Sequence, residues 1–63
     1  MQKLKRMPKT GQFVAIWKNN GDIFSYTYKW VEKDLFVLSY SMDNWDEEQD
    51  THFPEGVVFF KSK

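Results

Sequence analysis

Gln12-Phe13-Val14-Ala15-Ile16-Trp17-Lys18-Asn19-Asn20-Gly21-Asp22-Ile23-Phe24-Ser25-Tyr26-Thr27-Tyr28-Lys29-Trp30 is the stretch that decides the fold. Asn20-Gly21 separates two runs rich in β-branched and aromatic residues. Both central residues of a type I′ turn need positive φ, so Asn-Gly between such runs is the strongest short signal for a hairpin. Centring the turn there pairs Asn19 with Asp22, Lys18 with Ile23, Trp17 with Phe24, Ala15 with Tyr26 and Phe13 with Tyr28. Every large aromatic of both strands then falls on one face, while Val14, Ile16, Ser25 and Thr27 fall on the other. A slip of one residue would scatter them, so the turn and the side-chain pattern specify the same register.

Downstream, a second turn is expected at Glu32-Lys33-Asp34. A three-residue loop pairs Trp30 with Phe36, Tyr28 with Leu38 and Tyr26 with Tyr40. A two-residue loop would send Phe36, Leu38 and Tyr40 to the polar face, so face parity favours the odd length. The expected core face holds Phe13, Ala15, Trp17, Phe24, Tyr26, Tyr28, Trp30, Phe36, Leu38 and Tyr40. Val14, Ile16, Ile23 and Val37 share the opposite face with Ser25, Thr27, Lys29, Ser39 and Ser41. Residues 43–50 are acidic around Trp45 and read as a loop or short helical turn. His52-Phe53-Pro54-Glu55-Gly56 is turn-like, and Val57-Val58-Phe59-Phe60-Lys61 reads as a last strand. Residues 1–7 form a short strand or a frayed arm. The fold class is mainly β: a small antiparallel meander of three to four strands, with an Asn-Gly hairpin and one aromatic core face. Residues 1–63 make a single domain, divided into a basic arm (1–9), the meander (10–42), an acidic loop (43–56) and the final strand (57–61).

Composition narrows the functional classes. Twelve of 63 residues are aromatic, against ten Leu, Ile and Val together, and that aromatic content argues against intrinsic disorder. No apolar run approaches the roughly 18–20 residues of a membrane span. The basic N-terminus lacks the apolar stretch of a secretory signal. Zero cysteines remove disulfides, thiolate metal clusters and a cysteine nucleophile, and point to a reducing compartment, the cytoplasm. Nine cations balance nine anions, but they are segregated along the chain. Lys3, Lys5, Arg6 and Lys9 make residues 1–9 +4, whereas Asp43, Asp46, Glu47, Glu48, Asp50 and Glu55 make residues 43–55 −6. A core this small supplies only ~3–5 kcal/mol without a staple or a partner subunit, so a homodimer is expected.

Gly11-Gln12-Phe13-Val14-Ala15-Ile16-Trp17 resembles the GQFV-x-x-W signature of the MepB-like proteins. Pro8, three residues before Gly11, is similar to that family's Pro-Thr-x-x-Gly lead-in. Phe53-Pro54 with Val57-Val58 is similar to its late Phe-Pro-x-x-Val-Leu segment. The likeness spans residues 7–60 and rests on structural, hydrophobic positions. The chain departs from the pattern in lacking the upstream segment and in carrying Asp50-Thr51-His52 before Phe53-Pro54. Its acidic stretch around Trp45 has no counterpart. The resemblance implies the C-terminal core of that fold and a nucleic-acid-binding role.

The residues themselves favour binding over chemistry. His52 is the single histidine, and a transition-metal site wants three or four ligands, so no metal or other cofactor is expected. No serine sits in a nucleophile-elbow setting, and no glycine-rich phosphate loop is present, so no catalytic residue is assigned. Trp45 amid Asp43, Asp46, Glu47, Glu48 and Asp50 combines an apolar anchor with carboxylates. These carboxylates could engage Lys or Arg groups that otherwise hold phosphates. This motif points to a phage-type inhibitor of a host nucleic-acid-processing or defence protein. The alternative is a nucleic-acid binder using Lys3, Lys5, Arg6 and Lys9 with the aromatic sheet.

Overall fold

A computed structural model describes residues 2–39 and 43–62. Six strands form one antiparallel sheet: β1 (Gln2–Leu4), β2 (Gln12–Asn19), β3 (Asp22–Val31), β4 (Asp34–Leu38), β5 (Trp45–Glu48) and β6 (Val58–Lys61). Their spatial order is β1-β6-β2-β3-β4-β5. The class is as expected, but three to four strands is too few. Part of the basic arm pairs with β6 as β1, and the acidic segment pairs with β4 as β5 instead of forming a loop or helical turn. No helix long and apolar enough to cross a membrane occurs among the described residues.

The β2–β3 hairpin has the expected register throughout, from Asn19 opposite Asp22 to Phe13 opposite Tyr28. Asn20 and Gly21 both take positive φ, 53° and 85°, as a type I′ turn requires.

The β3–β4 hairpin corrects the expected one. Val31 pairs with Asp34, Trp30 with Leu35, Lys29 with Phe36 and Tyr28 with Val37. The loop is therefore the two residues Glu32-Lys33. Glu32 enters the left-handed region at φ 59°, which closes the chain one residue sooner than glycine-free parity suggests. Positive φ at the first central residue alone is the II′ pattern. The one-residue shift moves Leu35 and Val37 to the aromatic face and sends Phe36 and Leu38 to the opposite one. Tyr40 and Ser41, with Tyr40's expected pairing to Tyr26, lie outside the described residues.

The core forms on the inner face. Phe13, Ala15, Tyr28, Leu35 and Phe59 are buried there, with Leu4, Met7, Trp17, Trp30, Val37, Phe53 and Val57 packed around them. From β5 at one edge, residues 49–57 run back across this face to β6. Phe53 in this connection meets Tyr28, Phe59 and Trp17 edge-on, with ring centroids 5.2, 5.3 and 5.9 Å away. Such T-shaped contacts align ring edges with the electron-rich faces and add to the area each ring buries. A turn closed by Val57 N–H donating to the Pro54 carbonyl (3.2 Å), with Gly56 at φ 87°, delivers the chain into β6. At the other end, the Trp30 indole N–H donates to the Pro8 carbonyl at 2.8 Å, tying the 5–11 segment down over the sheet.

The outer face is more than a polar surface. The β-ladder aligns Phe60, Val14 and Thr27 across β6, β2 and β3, and Leu38 with Trp45 across β4 and β5. Val14 is buried on this face, while Ile16, Phe36, Leu38 and Phe60 are half-buried.

Candidate functional site

The residues expected to bind a partner fall on β5 and its flanks. Edge position follows from topology: β5 pairs with β4 on one side, and no described strand lies on the other. Period-two alternation then divides the acidic motif. Asp46 and Glu48 lie beside Val37 and Leu35 on the inner-face side, whereas Trp45 and Glu47 lie beside Leu38 and Phe36 on the outer face. The acids expected around Trp45 are therefore divided, with only Glu47 of the β5 acids on its face. Trp45 is half-buried, and Lys29 Nζ sits 4.3 Å from its ring centroid, close enough for a cation–π attraction. The carboxylates line a strand edge instead.

The flanking acids are held locally. Asp43 is exposed at φ 56° in the β4–β5 connection, where its N–H donates to the Ser39 carbonyl at 3.1 Å and Ser39 N–H donates to the Asn44 carbonyl at 2.7 Å. Beyond β5, Asp50 N–H donates to Glu48 Oε1 at 3.2 Å, and His52 N–H donates to Asp50 Oδ1 at 2.9 Å. That backbone donor, helped by the His52 ring, holds the Asp50 carboxyl below its usual range. His52 Nδ1 lies 3.4 Å from Asp50 Oδ1, but the two side chains are 95% and 73% exposed, so the pair is a solvated turn contact. Among the described residues no three His, Asp or Glu side chains converge as a metal site.

On the inner face, Tyr28 is nearly buried, and its phenol is pushed up to about 12, by burial first and then by the Glu48 carboxylate. A raised tyrosine is a neutral hydroxyl at every physiological pH. It supplies no base.

The basic residues begin at the opposite edge and follow the chain inward from it. Lys3 lies in β1 beside Phe60; Lys5 and Arg6 follow in the bend, and Lys9 is exposed near Gly11. Lys61 of β6, opposite Gln2, adds a cation to this end. Sequence reading missed both Lys61 and Lys29 as members of these groups. Neither stands in a charge run, and only strand pairing brings each to its partners. A shallow cavity of about 240 Å³, lined by Ser25, Tyr26, Thr27, Leu38, Ser39 and Asp43, opens where β4 parts from β3. Of the charged candidates it holds Asp43 alone.

No protein-family model, no curated protein and no solved structure matches the chain.

Proposed function

We propose that the protein acts by binding, without catalysis, as a phage-type inhibitor that occupies the basic groove of a host nucleic-acid-processing or defence protein. The observation that supports this reading is that Asp46, Glu47 and Glu48 are consecutive on an edge strand. An extended strand advances ~3.3 Å per residue with side chains alternating between faces, so a carboxylate recurs every ~3.3 Å along the strand axis while Asp46 and Glu48 stand ~6.6 Å apart on one face and Glu47 projects from the other. A DNA strand carries one phosphate per ~3.4 Å of helix axis, nearly the same linear charge density. A basic groove that closes around the β5 edge from both faces therefore meets a similar charge per unit length, and Asp50 extends it past the strand end. The chain works in the cytoplasm in this role, where a cysteine-free domain needs no oxidising compartment.

Capture of a host protein from lysate, competed by added DNA, tests the proposal. Replacing Asp46, Glu47, Glu48 and Asp50 with the matching amides should abolish capture while thermal unfolding stays cooperative. Capture that survives the four amides removes the proposal.

A second reading is a MepB-like nucleic-acid binder working through Lys3, Lys5, Arg6 and Lys9. The pairing of β1 with β6 favours it, because Lys3 is then fixed on a sheet edge, with Lys5 and Arg6 directly after it, instead of on a frayed arm. Four phosphate contacts give a log-affinity against log-salt slope of about −3.6 on duplex DNA. A gel shift insensitive to salt, or none at all, excludes this reading.

A further inference from the structure

We propose that copies of this chain associate edge to edge, with the basic β1 of one copy pairing with the acidic β5 of the next. Both strands end the sheet, and β1 and β5 make no contact within one molecule, so the sheet does not close on itself. Each outer edge therefore presents backbone donors and acceptors that can extend a sheet. Natural edges are commonly guarded by charge, since like charges keep two identical edges apart. Here that guard works against β1–β1 and β5–β5 pairing only. Lys3, Lys5 and Arg6 at one end and Asp46, Glu47 and Glu48 at the other are opposite in sign, so the head-to-tail combination is attractive.

Side-chain parity supports one register. Antiparallel pairing of Lys3 with Glu47 sets Gln2 opposite Glu48, Leu4 opposite Asp46 and Lys5 opposite Trp45. Lys3 and Glu47 both project from the outer face of their sheets, by the β1–β6 and β4–β5 ladders, while Gln2, Leu4, Asp46 and Glu48 belong to the inner face. The joined sheet thus keeps a single inner face from copy to copy. Such an interface is heterologous: every copy offers one unused edge of each kind, and growth continues unless the rotation closes a ring. The strands are three and four residues long. Contacts this short, dominated by surface charge, give weak and salt-sensitive association. This inference needs only a second copy and does not rest on the inhibitor reading. Lysate capture reports on a foreign partner, and the mass of the purified chain reports on this one.

Sedimentation velocity of the pure chain over a concentration series, at low and high salt, is the test. Association at low salt that is lost at high salt is expected; a monomer throughout overturns the proposal. Two charge-exchanged variants then separate head-to-tail from isologous pairing: Lys3→Glu with Lys5→Glu, and Asp46→Lys with Glu47→Lys. Each alone should associate about tenfold more weakly than the parent. Both exchanges combined in one chain should regain association, because every β1 then finds a β5 of opposite sign while like edges still repel. A combined variant no larger than the single ones, or single variants as associated as the parent, overturns it. Tryptophan fluorescence checks that each variant is folded. If a reversal unfolds the chain, Lys3→Gln and Glu47→Gln replace it: weakening by each supports the proposal, and no weakening overturns it.

Discussion

Phe53→Ala should remove a third or more of the stability of this domain, although Phe53 lies in a connection and not in a strand. Its ring is half-buried against Tyr28, Phe59 and Trp17, at 5.2, 5.3 and 5.9 Å between centroids. Complete burial of a phenylalanine side chain contributes up to ~3 kcal/mol, and for this partly exposed ring, with the denatured chain's own burial discounted, about 1.5–2 kcal/mol remains. Edge-to-face pairs add ~0.5–1.5 kcal/mol each, but three pairs sharing one ring do not sum, and about 1.5 kcal/mol is a fair total. The loss is then about 3 kcal/mol. A 63-residue domain at ~0.05–0.15 kcal/mol per residue has ~3–9 kcal/mol altogether. Urea unfolding followed by tryptophan fluorescence reads the loss directly, because Trp17 reports on Phe53 itself. Phe53→Leu keeps apolar volume without the ring geometry and should cost about half as much. A cost below ~1 kcal/mol for Phe53→Ala, with an unchanged dependence on denaturant, would show that residues 49–57 are not part of the core.

Three further outcomes follow from single contacts. Glu32→Gly relieves a left-handed conformation that costs a side-chain-bearing residue ~1–2 kcal/mol and loses ~0.5–1 kcal/mol of that to backbone entropy. Its melting temperature should therefore rise by a few degrees, and a fall would contradict the two-residue loop. The Tyr28 phenol, raised to about 12, favours the folded state fully below pH ~10. As pH climbs from 10 through 12 the unfolded chain ionises first, and stability declines by up to ~2–3 kcal/mol. Tyr28→Phe should flatten that decline, and a parent stability curve level to pH 12 would contradict the burial argument. Trp30→Phe removes the 2.8 Å bond to the Pro8 carbonyl, a loss of about 1 kcal/mol, and should speed tryptic cleavage at Lys5, Arg6 and Lys9 about fivefold. Equal cleavage rates in parent and variant would mean the indole does not tether the arm.

The first hairpin was legible because two independent signals agreed. Asn20-Gly21 named the turn type, and the aromatic alternation named the register. At Glu32-Lys33 only alternation was available, and it misled, because both faces of β4 are apolar. Leu35 and Val37 serve the core as well as Phe36 and Leu38 would have. The deciding fact was the backbone angle of Glu32, which its residue type does not advertise. β1 was legible only as one of two alternatives for residues 1–7, and β5 was not legible, for a related reason. Gln2-Lys3-Leu4 and Trp45-Asp46-Glu47-Glu48 have low intrinsic strand preference and become strands through the hydrogen-bonding edges of β6 and β4. The acidic motif was visible as composition, but strand pairing split its side chains between two faces and moved Trp45 under Lys29.

The position of β6 governs the order in which this molecule can be assembled. β6 lies between β1 and β2, so β1 has no partner strand until Val58–Lys61 have been synthesised. Gln2 meets Lys61, and Phe13 meets the same lysine from the other side. The β2–β3–β4 meander can form early from local turns, but closing the loop that brings β6 home must precede the pairing of β1. A ribosome-bound chain stopped short of residue 58 would therefore hold a meander with a bare β2 edge and an uncovered Phe13. That exposed intermediate is the state most vulnerable to aggregation and degradation. Cellular yield should accordingly depend more steeply on changes in Val58–Lys61 than on equal changes in Gln2–Leu4.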